Sequence, residues 1–121
     1  MLRTALIAAA LLLAPLANPS SIVGSIAAAA TKSGNFASHK RYKVSGKATV
    51  TGNKVTLSGF STTPGPDLYV YVGNGRPTTS LGKLKRNKGT QSYTLPAGVN
   101  PSSVFIHCKR FSSTFGTAKL R

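Results

Sequence analysis

The sequence predicts a small all-β domain, an antiparallel sandwich or barrel-like sheet that follows an N-terminal signal segment. Three observations carry this. From Tyr42 onward apolar and polar residues alternate with period two. Breaks containing Gly, Pro or Asn recur every few residues. No segment after residue 30 sustains a helical 3.6-residue period. Many short strands between such turns argue a sandwich or barrel, and 121 residues suffice for one core.

The chain opens with Met1-Leu2-Arg3, a short positive start, and residues 4–13 form a run dominated by Ala, Leu and Ile. That is the length of a signal h-region. Pro15 and Asn18-Pro19 then break it, and Ala27 to Ala30 supply the small residues that a signal peptidase needs. The cut is expected near Ala29 or Ala30, with Ala17 as an earlier alternative. The product would be secreted or periplasmic. An uncleaved signal anchor is the competing arrangement, although the run is shorter than the ~20 residues of a membrane span. The organisation expected is therefore a signal peptide over 1–30, a short flexible lead-in over 31–38 and a β domain over 39–121.

Tyr42, Val44, Gly46, Ala48 and Val50 alternate with Lys43, Ser45, Lys47 and Thr49, as in a half-buried strand. Gly52-Asn53 is a turn signal, so residues 54–58 should pair back as a hairpin. Pro64-Gly65-Pro66-Asp67 marks a second turn; Leu68, Val70 and Val72 then alternate with Tyr69 and Tyr71. A loop at 73–77, a short strand around Leu81 and Leu84, a basic turn at 85–89 and a strand at 91–95 follow. Val104, Ile106 and Cys108 share one face of a later strand, with Phe105 and His107 on the other. Residues 115–120 close the domain. Phe36, Phe60, Tyr69, Tyr71, Phe105 and Phe111 are the aromatics expected to supply burial.

Sixteen Lys and Arg residues face one acidic side chain, Asp67, for a formal net charge of +15. Such a chain repels itself and attracts polyanions. Salt bridges can contribute little with one carboxylate to share. The basic residues fall into small groups, Lys40, Arg41 and Lys43 as one and Lys83, Lys85, Arg86 and Lys88 as another, and the second is a candidate anion-binding cluster. Nucleic acid is disfavoured, because aromatics do not interleave with that cluster and export removes the partner. Anionic envelope polymers or lipid headgroups are the polyanions available outside the membrane.

One cysteine, Cys108, excludes an internal disulfide, a multi-cysteine zinc site and the Cys-x-x-Cys-His haem attachment pattern. His39 and His107 complete the inventory of soft ligands, just enough with Cys108 for a His₂Cys set. Residues 107 and 108 point to opposite faces of a strand, however, unless a bulge intervenes. Lys109 and Arg110 beside Cys108 would favour its thiolate. Asp67 has the position of a turn residue bonding its own backbone, together with Gly65 and Pro66. No second carboxylate and no nucleophile elbow accompany it, so a hydrolytic enzyme is disfavoured.

Residues 59–72, Gly59-Phe60-Ser61-Thr62-Thr63-Pro64-Gly65-Pro66-Asp67-Leu68-Tyr69-Val70-Tyr71-Val72, resemble the central motif of the DM-thirteen domain family. Leu81-Gly82-Lys83-Leu84-Lys85 and the segment from Asn87 to Val99 are similar to its middle. Residues 104–111 and 115–120 are similar to its end, and His39 with residues 44–48 to its start. The resemblance spans about His39 to Leu120 and implies a β-sandwich proposed for electron transfer, on exported proteins and sometimes beside haem- or sugar-binding domains. It assigns Cys108 as a redox thiol or prosthetic-group ligand, with haem as a candidate group and a redox partner protein. The family usually has Trp before that cysteine, where this chain has His107. The alternative function is a non-enzymatic basic module for anionic envelope polymers or lipids, with Cys108 in the core.

Overall fold

The computed structural model describes residues 31–121; the expected signal segment and its cleavage point lie outside the described residues. Eight strands follow in order: β1 Thr31–Ser38, β2 Val44–Thr51, β3 Lys54–Thr62, β4 Leu68–Gly73, β5 Thr79–Lys83, β6 Gln91–Thr94, β7 Ser103–Cys108 and β8 Ser113–Lys119. All pair antiparallel in the order β5-β4-β7-β8-β1-β2-β3-β6, and no helix interrupts them among the described residues. The all-β expectation is met, as one sheet curled into a nearly closed barrel.

Alternation builds the core. Val44, Ala48 and Val50 of β2, Val55, Leu57 and Phe60 of β3, and Leu68, Val70 and Val72 of β4 all point inward. Val104, Ile106 and Cys108 of β7 stand directly beside those of β4, and Phe36, Phe115 and Ala118 of β1 and β8 join the same core. The barrel's two edge strands are brought together by loop 84–90. There the Lys85 backbone N–H donates to Tyr93 Oη at 2.9 Å. Gly89 N–H donates to the Phe60 carbonyl, and Thr62 N–H to the Asn87 carbonyl, so the loop extends the sheet along β3.

Three bulges curve the sheet, and one of them places Leu81 as the extra residue of β5, because Val70 pairs with Gly82 but Tyr71 with Ser80. In β2 the register shifts between Ser45 and Lys47. Gly46 there has φ of 108°, and a Cβ on it would stand 2.7 Å from the Phe60 Cα and the Gly59 carbonyl oxygen. In β8 Phe115 is the extra residue, because Ile106 pairs with Gly116 but His107 with Thr114. The Phe115 ring turns inward and stacks on Tyr42, centroids 3.7 Å apart and planes within 8°. Bulges of this kind bend a strand and raise its local twist, which a closing sheet requires.

Two expectations need correction. Residues 31–38 are not a flexible lead-in; they form β1, hydrogen-bonded to β2 on one side and β8 on the other. Backbone pairing on both edges supplies the order that its Ser- and Gly-rich pattern does not advertise. Phe111 is not a core aromatic but 57% exposed, because it lies in the turn between β7 and β8. Tyr69 and Tyr71 stand on the outer face, half-buried rather than in the core.

Candidate functional site

Cys108 ends β7 and is completely buried. Leu68 lies directly across from it on β4 and Ser113 on β8. The neighbouring Lys109 does not turn toward the thiol's side of the strand. Lys109 extends over the Tyr69 ring, its Nζ 4.6 Å from the centroid, and Tyr69 belongs to the outer face.

His107 occupies the opposite face of the same strand. The bulge expected as the only route to joint ligation is present, but its extra residue is Phe115 on β8, so His107 and Cys108 keep opposite directions. The His107 Nδ1 lies 3.1 Å from Thr114 Oγ1, and its ring meets Tyr71 edge to face at 5.3 Å. Desolvation at this half-buried position pulls its pKa below the ordinary histidine value. His39 is exposed on the same outer face and its Nε2 lies 3.0 Å from Thr117 Oγ1. The two histidines thus reach β8 from outside the barrel, while the thiol lies within it.

The donor set does not fit a metal or haem at Cys108. No group of three His, Cys, Asp or Glu residues lies together among the described residues. A ligand sulfur must also face space for the group, and this one is enclosed by core side chains.

Pro66 and Asp67 form the expected turn, and Gly65 packs against it so tightly that a Cβ would meet Leu68 and Phe115 at 3.1 Å. Backbone rather than side chain ties it down: the Asp67 carbonyl accepts from Lys109 N–H at 3.0 Å. The expected capping by the Asp67 carboxylate is not formed, and the carboxylate makes no hydrogen bond among the described residues.

The cluster of Lys83, Lys85, Arg86 and Lys88 is exposed, but two of its heads are already engaged. Lys85 Nζ donates to the Ser92 carbonyl and lies 5.0 Å from the Tyr93 ring centroid, and Arg86 Nη2 donates to the Thr90 carbonyl. Buried Gln91 fixes the loop from below, accepting from Arg86 N–H and donating to the Arg86 and Gly89 carbonyls. Tyr93 Oη also donates to Gln91 Oε1, and burial pushes the phenol pKa up. These cations cap the loop as much as they face solvent. Gln91 was not singled out from the sequence, because a lone Gln in an alternating segment carries no mark of burial.

A concavity lies elsewhere, a groove of about 880 Å³ over β1 and β8 lined by Lys47, Lys119, Arg121 and His39. It continues into a smaller hollow of about 260 Å³ floored by Phe105, which shares His39, Thr117 and Lys119 with it. Phe105 points outward yet is 4% exposed. Lys47, Lys119 and Arg121 escaped notice as a group because they come from strands far apart in the chain.

Fold and site define a basic, nearly closed all-β barrel with a single core cysteine. The chain belongs to the family described as "Electron transfer DM13", whose model matches residues 35–120. No curated protein and no solved structure matches it.

Proposed function

We propose that this is an exported electron-transfer domain that exchanges electrons with a partner protein, and that Cys108 is its redox residue. Family membership is the observation that carries the reading. Cys108 is the only thiol in the chain, and it lies within the matched segment. Enclosure by the core protects it from the oxidation that consumes exposed thiolates. It also sets a condition on reactivity. An enclosed sulfur cannot be reached by a partner until the strand end opens. Cys108 is the last residue of β7, next to an exposed turn over 109–112, so a local opening is sufficient.

The deciding experiment is redox titration and thermal unfolding of the same Cys108→Ser samples. The expected variant folds, melts lower by up to about 1–3 kcal/mol because its hydroxyl lacks a buried partner, and no longer titrates. A variant that titrates like the parent would overturn the role of Cys108.

A second reading is favoured by the same burial. A free cysteine enclosed by apolar side chains packs as a small hydrophobe. On that reading the domain is a basic binding module and its working surface is the outside of the barrel.

A further inference from the structure

We propose that the groove across β2, β1 and β8 binds an extended polyanionic glycan, a polymer of sugars that carry carboxylate groups. The inference deepens the binding-module reading and is independent of any redox role for Cys108.

Sheet register puts the cations in place. Lys47 pairs with Asn35 across β2 and β1. Ala37 pairs with Thr117, and Ser33 and Arg121 exchange backbone hydrogen bonds at 3.1 and 2.9 Å, which sets Asn35 opposite Lys119. Lys47, Asn35 and Lys119 therefore form one row on the outer face, with Arg121 one row away beside Ser33. Neighbouring strands stand about 4.8 Å apart, so the two lysines are rooted roughly 10 Å from each other. That is about the length of two pyranose rings in line, so the two lysines can meet carboxylates that stand two sugars apart.

All three of these cations are free, whereas Lys85 and Arg86 of the 83–88 cluster already donate to backbone carbonyls. The heads of Lys47, Lys119 and Arg121 form no hydrogen bond among the described residues, and all three residues are exposed. The only acidic side chain, Asp67, lies outside the groove. Incoming carboxylates would thus displace water rather than an existing partner.

The lining selects among polyanions. Between the cations lie Ser33, Asn35 and Thr117, two hydroxyls and an amide that can exchange hydrogen bonds with sugar hydroxyls. No Phe, Tyr or Trp lines the cation-bearing part, so a nucleic acid would find its phosphates matched but only the His39 imidazole as a platform for its bases. The volume, about 880 Å³, accommodates several sugar units along an open trough.

The test uses polygalacturonate oligomers as probe, measured calorimetrically at 0.15 M salt. Their fully methyl-esterified form and a single-stranded oligonucleotide of equal charge are the comparisons. Polygalacturonate should bind, and the neutral ester and the oligonucleotide should bind far more weakly. Lys47→Gln with Lys119→Gln should weaken binding at least roughly tenfold, since each lost charged hydrogen bond commonly amounts to that much. Lys83→Gln with Lys88→Gln, an identical change in net charge, should weaken it less than about twofold. Lys47→Arg with Lys119→Arg keeps the charge and should bind like the parent, which separates lost contact from damaged fold. Equal losses in the two Gln pairs, equal binding of the ester, tighter binding of the oligonucleotide, or no binding at all would each overturn the proposal. Cys108→Ser should bind as the parent does, so failure of the redox reading and failure of this one are told apart.

Discussion

His107 is a titratable side chain worked into the outer face, between Tyr71 and Thr114. Burial lowers its pKa, so the folded state holds a proton less readily than the unfolded chain. The unfolded state then binds more protons as pH falls below about 6.5, and stability rises with pH across that window. Its contribution is fully present above the unfolded value and is lost as pH falls through the lowered folded one. Melting temperature measured from pH 7.5 to 5 should decline for the parent, and His107→Gln should flatten that decline. An unchanged slope would show that His107 does not carry the pH dependence. Among single residues, direction was legible and surroundings were not. Strand parity correctly separated Cys108 from His107 and placed the sulfur on the core side. Parity cannot say which side of an outer face becomes covered, and Phe105 is only 4% exposed there, at a hollow that Gly75 and Pro77 also line. Nor could it reveal that Lys109 would lie over Tyr69 instead of supporting a thiolate.

At the scale of elements, the β2–β3 hairpin shows what alternation conveys and what it conceals. Inward Val44, Ala48 and Val50 were readable in the sequence, as was the turn at Gly52-Asn53. The bulge was not, because Gly46 falls in step with the inward residues and looks like an ordinary weak strand position. Its positive φ of 108° and its contact with the Phe60 backbone distinguish it from Gly59 across the bulge, which has φ of 56° and open space where a Cβ would go. Gly46→Ala therefore suffers both backbone strain and a clash with main-chain atoms that have no rotamer to adopt. Its cost should be at least about 1–3 kcal/mol, and Gly59→Ala should cost only about 1–2 kcal/mol. For a domain of this size each kcal/mol lowers the melting temperature by about 4–8 °C, so unfolding curves resolve the pair. Equal losses would mean that the sheet relaxes around position 46. The strand β1 was hidden for a related reason. Only Phe36 of its eight residues is buried, so apolar period was absent and the strand exists by virtue of its two neighbours.

For the whole molecule, charge is the dominant constraint and topology decides where it acts. The sequence discloses the excess of cations and the cluster over 83–88, whereas the group assembled from β2, β8 and the segment after it exists only in the fold. Residues 31–121 retain fifteen basic side chains against Asp67, whose carboxylate makes no hydrogen bond among the described residues. The fold is thus held by apolar burial and backbone pairing, while its long-range electrostatics is almost wholly repulsive. A domain laced with surface ion pairs loses a little stability as salt screens them; this one should gain. Raising ionic strength from 0.01 to 0.1 M shortens the Debye length from ~30 to ~10 Å, which shields charges on opposite sides of the barrel from each other. The melting temperature should rise over that range and level off beyond it. Sodium chloride and sodium perchlorate at equal ionic strength should both show the initial rise, since screening does not depend on how an anion orders water. A melting temperature that falls with salt would mean that unrecognised attractive pairs hold the barrel. A rise confined to multivalent anions would point instead to specific ion binding, and the Lys47→Gln, Lys119→Gln pair would then show whether the groove is where they bind.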